Sequence, residues 1–180
     1  NYLANKNINN KKNHLIPYFR GLSKLEYYYN SKLLCNLNIW LPKLKSLSIS
    51  GDNSITDEML SYIPNLEYLY LPSNLIITDN SIQKLLKLKY LDLENNSIIT
   101  DDSISKLLNL ETLILDRNQQ ITNRGLKDLI KLKKLSIFVN RKITYEVFDN
   151  FKIEYLKIKE NIFNNDMNNI TTIKELYISN

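Results

Sequence analysis

Few side chains in this sequence are suited to catalysis. His14 is the only histidine and Cys35 the only cysteine among 180 residues. His14 lies in a stretch without hydrophobic periodicity, so no Cys-His or Ser-His-Asp arrangement is indicated. Cys35 follows Leu33 and Leu34, where a small core hydrophobe is the simpler interpretation. No glycine-rich phosphate loop occurs, and the sequence predicts a protein that is not an enzyme and has no cofactor.

Three carboxylates recur at related positions, Asp92, Glu94 and Asp116. A metal site needs clustered oxygen, nitrogen or sulfur ligands. Without further ligands nearby in the pattern, these residues predict an acidic surface rather than a metal site.

Composition limits the remaining classes. No run of about 18 apolar residues occurs, so no membrane span is predicted. A single cysteine excludes an intrachain disulfide and, with no apolar signal segment at the N-terminus, favours an intracellular, cytoplasmic protein. The many Asn, Ile, Lys and Tyr residues are typical of AT-rich genomes, such as those of some protists and large DNA viruses, which makes virion association an alternative.

The net charge of +5 permits contact with nucleic acid. The basic residues Lys134, Lys157 and Lys159 would cluster near one end, but Glu154 and Glu160 lie among them. Aromatic interleaving is limited, so nucleic acid is disfavoured as a partner.

A repeat must position all these side chains. The motif L-x-x-L-x-L-x-x-N begins at Leu66, Leu88 and Leu110, which are 22 residues apart. Related starts fall near residues 22, 44, 66, 88, 110, 132, 153 and 173. This period and consensus predict a leucine-rich repeat solenoid over residues 15–180, after an aperiodic segment at 1–14.

Each repeat carries its own structural signals. The L-x-L alternation predicts a short strand with leucines on one face. An Ile-Thr pair, often followed by Asp, predicts the start of a helix. Between them lies an asparagine column that we expect to satisfy backbone groups at each turn and from coil to coil; its members are Asn30, Asn74, Asn96, Asn118, Asn140 and Asn161.

The full consensus, ending I-T-D-x-x-I-x-x-L, resembles the cysteine-containing repeats of F-box/LRR proteins, with Asn at the turn position. The resemblance implies an α/β fold: a right-handed horseshoe with a parallel sheet on its concave face and short helices, here of about two turns, on its convex face. Tyr145 replaces the Asp of the motif, so regularity should decline beyond Thr144. Residues 1–21 are too few for an F-box, and an adaptor would lie upstream or on another chain.

The resemblance also implies that a protein partner binds the concave face. The variable strand positions at its centre form the central concave patch, which consists of Tyr68, Tyr70, Tyr90, Asp92, Glu94, Ile114, Asp116 and Arg117. Tyr and Arg are enriched at binding hot spots, and the carboxylates suit a basic or peptide partner. Six of these side chains are not expected to be needed for stacking, namely Tyr68, Tyr70, Tyr90, Asp92, Glu94 and Asp116. Tyrosine also favours strand surfaces without any partner, so a solvated sheet face is the competing interpretation.

A structural role is the alternative function. The repeats could serve as an assembly component of a larger complex or virus particle. The sequence ends at Asn180, within the eighth strand motif, and solenoid ends need a polar cap. We therefore expect either continuation of the chain or an end-to-end contact at this repeat.

Overall fold

A computed structural model describes residues 23–28, 43–50, 55–159 and 172–179. In these ranges eight parallel strands pair in chain order to form one open sheet. Each strand begins two residues after its motif start. The strands are β1 (Lys24–Tyr28), β2 (Ser46–Ser50), β3 (Tyr68–Tyr70), β4 (Tyr90–Asp92), β5 (Thr112–Ile114), β6 (Lys134–Ser136), β7 (Tyr155–Lys159) and β8 (Glu175–Ser179).

The strands pair without any shift from repeat to repeat. Leu69 pairs with Leu91, and Leu91 pairs with Leu113. Equivalent residues of successive repeats therefore form straight columns, and a side chain on one strand lies beside its counterpart on the next. The predicted boundary between an aperiodic segment and the repeats, at residue 14, lies outside the described residues.

Short helices connect the strands on the opposite side. They are α1 (Asp57–Ser61), α2 (Asp79–Ile82), α3 (Asp101–Ile104), α4 (Asn123–Leu126) and a 3-10 helix at Tyr145–Asn150. With four or five residues each, α1 to α4 make little more than one turn, less than the two turns expected. A 22-residue repeat leaves no room for more, because the strand and two turns occupy the rest.

The predicted helix start is confirmed in four repeats. The hydroxyls of Thr56, Thr78, Thr100 and Thr122 each accept a hydrogen bond from a backbone N–H of the first helical turn. Thr144, where the motif changes, makes no such bond. Capping of this kind satisfies amides that a helix cannot pair internally.

The aspartates that follow Thr56, Thr78 and Thr100 have a role that the repeat pattern does not reveal. Asp79 accepts from Thr100 N at 3.0 Å, Thr100 Oγ1 at 2.6 Å and Ser103 Oγ at 2.5 Å. Asp57 makes the same bonds to Thr78 and Ser81. Each carboxylate therefore holds the helix start of the following coil, and the motif joins repeats as well as capping helices.

The core is one continuous column of aliphatic side chains. Leu69, Leu91 and Leu113 are fully buried between the sheet and the helices. The helix-side positions Ile82 and Leu85, with their equivalents in neighbouring repeats, are buried as well. Phe148 in the 3-10 helix and Phe151 directly after it belong to the same buried cluster.

The asparagine column lines the turn after each strand. Asn96 Oδ1 accepts from Ile98 N and Ile99 N at 2.9 Å, while its Nδ2 donates to Asn74 O in the preceding coil at 2.9 Å. Asn74, Asn118 and Asn140 make the same turn bonds within their own coils. Asn30 and Asn161 lie outside the described residues.

The residue before each of these asparagines has a left-handed backbone. The φ values are 56° at Ser73, 54° at Asn95, 57° at Arg117 and 62° at Val139. Asn tolerates this conformation, whereas a β-branched residue does not. Val139 is therefore the strained residue among these four.

A ladder of alternating charge runs along the edge of the sheet where the strands begin. It consists of Lys45, Glu67, Lys89, Glu111, Lys133, Glu154 and Lys174. Glu67 bridges Lys45 at 2.5 Å and Lys89 at 2.8 Å, and Lys174 lies 2.8 Å from Glu154. Opposite charges thus face each other in successive coils, where equivalent residues of one sign would repel.

Candidate functional site on the concave face

The aromatic part of the central concave patch lies on β3 and β4. Tyr68 and Tyr90 are paired across these strands, as are Tyr70 and Asp92. The side chains alternate with the buried Leu69 and Leu91, which directs them away from the core. Tyr68 is 40% exposed, and the rings of Tyr70 and Tyr90 are tilted by 34° with centroids 4.4 Å apart.

Asp92 gives this aromatic surface its negative charge. Its Oδ1 accepts from Glu94 N at 2.9 Å, and no cation in the described part of the chain forms a salt bridge with it. Burial raises the pKa of its carboxyl, and the nearby charges of Glu94 and Asp116 add to the effect. A cation from a partner would relieve this unfavourable environment.

Tyr90 shares that environment. Burial raises the pKa of its phenol, and the charge of Asp92 raises it further. The hydroxyl therefore stays protonated and can donate a hydrogen bond to a partner.

Glu94 and Arg117 form the rim of the patch. Arg117 Nη1 donates to Glu94 Oε1 at 3.1 Å across adjacent coils, and both side chains are substantially exposed. Such pairs contribute little to stability. Ile114 lies next to Asp92 on β5 and is half-buried, which extends the apolar part of the patch by one strand.

Asp116 is buried and bonded to other repeats, although the sequence predicted it as a partner-binding residue that stacking does not need. It is 5% exposed and accepts from Ser136 Oγ, from Phe138 N at 3.0 Å and from Lys157 Nζ at 2.5 Å. These donors belong to the next two coils, so the prediction that Asp116 is not needed for stacking is wrong. Its carboxylate joins three repeats and is not available to a partner.

Lys157 is occupied by the same ion pair with Asp116. Its hydrogen bond to Asp116 raises the pKa of the ammonium group, and Nζ also lies 5.4 Å from the centroid of the Phe138 ring. The basic end expected from the sequence thus loses one of its lysines to an internal ion pair. A concave aspartate with a lysine 41 residues later, close to two repeats, was the signal for this pair in the sequence.

Within the described ranges, no three His, Cys, Asp or Glu side chains converge in a way that could hold a metal ion. No helix in those ranges has the length and apolarity needed to cross a bilayer.

Comparison with known proteins supports the architecture. No protein-family model matches the sequence, and no curated protein matches it. Internalin C2 of Listeria monocytogenes has a similar structure, with a TM-score of 0.71 and 24% identity, covering 89% of this chain and 82% of that one.

Two further similar structures come from complexes. A chain of the yeast Rad7–Elc1 complex matches with a TM-score of 0.65 and 18% identity over 80% of this chain, and a chain of the Drosophila Toll–Spatzle complex with 0.69 and 17% over 93%. This protein spans 43% and 24% of those chains, respectively.

The parallel sheet, the short helices and these likenesses define a leucine-rich repeat solenoid, as the sequence predicts. At such identities the likeness shows the fold alone. The function must therefore be inferred from the residues on the concave face of this chain.

Proposed function

We propose that this protein binds another protein through the central concave patch, with Tyr68, Tyr70, Tyr90, Asp92 and Ile114 as the contact residues. One observation carries the proposal: Asp92 is a partly buried carboxylate beside paired tyrosines, and no cation among the described residues forms a salt bridge with it. Aromatic rings attract cations as well as apolar groups. The partner should therefore insert a lysine or arginine side chain between the Tyr70–Tyr90 pair and Asp92.

The surface has a suitable size for this role. Eight strands at a spacing of about 4.8 Å form a face long enough for a standard interface of roughly 800 Å² per partner. Glu94 and Arg117 would lie at its polar rim, where charges influence association rate more than affinity. Asp116, which joins three repeats, stabilises the coils that present this surface.

Affinity capture with the Tyr70→Ala/Asp92→Lys double variant tests the proposal. It should recover fewer partners than the wild type, because it removes an aromatic anchor and reverses the charge. Tyr145→Ala is the matched control, since Tyr145 is an exposed tyrosine (39%) of the convex side, close in exposure to Tyr68. Identical partner lists for wild type and double variant, with both folded by circular dichroism, would refute the concave site.

A narrower form of the proposal is substrate recognition of the F-box/LRR kind in the cytoplasm. The consensus supports it, and one similar structure comes from the yeast Rad7–Elc1 complex. Sequencing the gene upstream of Asn1 tests it directly, because a three-helix F-box module there would be recognisable. An unrelated upstream domain, together with the absence of an adaptor subunit among the captured proteins, would contradict it.

Assembly through β8, the last strand in the described residues, is a second candidate. On β8, Leu176 and Ile178 are exposed, whereas their β7 equivalents Leu156 and Ile158 are fully buried. Exposed apolar side chains on an edge strand invite pairing with another chain. Sedimentation of residues 1–180 should show association that Leu176→Lys abolishes, and a monomer at all concentrations would contradict it.

A further inference from the structure

A row of tight turns connects the helices to the strands. Leu88 N donates to Leu85 O at 3.0 Å, and the equivalent bonds Leu110 N to Leu107 O and Leu132 N to Leu129 O measure 2.9 Å. Each turn therefore has two central residues that point away from the core. Such positions favour Gly, Pro, Asn, Asp and Ser.

This chain instead places a large aliphatic residue first in three successive turns. Leu86 is 54% exposed, Leu108 51% and Ile130 72%. They are one repeat apart and form a continuous apolar row, here called the turn row. The buried core is complete without them, since Leu85, Leu107 and Leu129 already fill the helix-side layer.

Lysines border the turn row in an ordered way. Lys87 Nζ donates to Asn65 Oδ1 and Lys131 Nζ to Asn109 Oδ1, both at 2.7 Å, and Lys106 donates to Gln83. All three acceptors are neutral amides on the preceding coil. In the described ranges none of these lysines forms a salt bridge with a carboxylate, so each ammonium group is held by a neutral amide and its charge is available to a ligand.

We propose that the turn row is a second docking surface, which binds an acidic amphipathic segment of a partner protein. The apolar residues of that segment would cover Leu86, Leu108 and Ile130, and its carboxylates would meet Lys87, Lys106 and Lys131. Charge complementarity selects this occupant. A peptide is favoured over an anionic bilayer because hydrogen bonds hold the cations at fixed points, which suits individual carboxylates, whereas attraction to a charged lipid surface needs no fixed positions.

This surface is independent of the central concave patch. The turn row lies where the helices lead into the strands, and its charge has the opposite sign to that of Asp92 and Glu94. Either site can fail in experiment without affecting the other.

The test uses the full chain and a labelled helical peptide with a leucine face flanked by glutamates. The variant Leu86→Asn/Leu108→Asn/Ile130→Asn removes the row with a residue that turns favour, so folding should be retained. Leu75→Asn/Ile76→Asn is the matched control, because both are exposed aliphatic residues in a different turn. Fluorescence anisotropy then measures binding to the wild type and both variants at low salt.

The wild type and the control should bind the peptide equally, and the triple variant at least about tenfold more weakly. A peptide with lysines in place of the glutamates should not bind. Three outcomes would overturn the proposal: equal binding by the triple variant, no binding of the acidic peptide, or binding only to phosphatidylserine vesicles. Self-association of the wild type that the triple variant abolishes would assign the row to a second copy instead.

Discussion

Val139 shows how one residue departs from the repeat. Its φ of 62° places a β-branched side chain in the left-handed region, where the equivalent residue two repeats earlier is Asn95. The conformation is imposed by the turn geometry that the asparagine column maintains. Strain of this kind persists only where the surrounding structure determines the backbone.

Replacing Val139 with asparagine should therefore stabilise the protein. We expect a gain of roughly 1 kcal/mol, since asparagine tolerates left-handed backbone. Urea denaturation measures it, and Val139→Ala is the control because alanine removes the branch without favouring positive φ. A lower midpoint for Val139→Asn than for the wild type would contradict the assigned strain.

The asparagine column offers a second test at the residue scale, because two of its members differ in one bond. Asn96 Nδ2 donates to Asn74 O, whereas Asn118 Nδ2 is buried without a partner in the described residues. Both Oδ1 atoms accept two backbone amides of their turn. The two side chains thus share the acceptor role and differ as donors.

Substitution by aspartate isolates that difference. Asn96→Asp loses the donor and sets a carboxylate oxygen against the Asn74 carbonyl, while Asn118→Asp loses no bond. We expect Asn96→Asp to cost about 1–3 kcal/mol more, as measured by denaturation midpoints at neutral pH. Equal costs for the two variants would show that the bond between coils is not significant.

The elements are held in register by side chains that alternate between coils. The charge ladder contributes at the strand starts, and its best-paired member is Glu67. Hydrogen bonds from Lys45 and Lys89 lower the pKa of Glu67 from 4.5 to about 2. A depressed carboxyl pKa stabilises the folded state above the unfolded value and loses that effect as pH falls.

Stability should consequently decline between about pH 4.5 and about pH 2 as Glu67 is protonated. Glu67→Gln should flatten this part of the pH profile, measured by urea denaturation at low salt. Glu111→Gln is the comparator, since it makes the same change of charge at a carboxylate of the ladder that lies 3.8 Å from Lys133. A Glu67→Gln profile parallel to the wild type would contradict a stabilising ladder.

At the scale of the whole molecule, the repeat period determines which structural features could be predicted from the sequence. The strands, the threonine caps and the core follow from residues inside one repeat, so the pattern suffices. The contact of Asp116 with Lys157 joins repeats that are two coils apart, and an average repeat does not specify such a pair. The alternation from Lys45 to Glu67 was readable at the 22-residue spacing but required comparing one column across repeats.

The same distinction applies to function. A structural framework holds the repeats together. It consists of the buried leucines and of the hydrogen bonds made by the asparagines, the Thr-Asp motif and Asp116. Two groups of side chains lie outside this framework. One consists of Tyr68, Tyr70 and Asp92 on the concave face, and the other of Leu86 and its equivalents on the turn row. Side chains outside this framework are where recognition can lie, and the two surfaces differ in charge.

Partner recovery by three chains side by side shows whether the concave tyrosines and Asp92 are the residues that bind the partner. Wild type, Tyr70→Ala/Asp92→Lys and Tyr145→Ala would be compared at equal concentration, with denaturation midpoints measured on the same samples. The double variant should lose the partner while it remains folded, and Tyr145→Ala should retain the partner. Full recovery by the folded double variant would contradict the concave site.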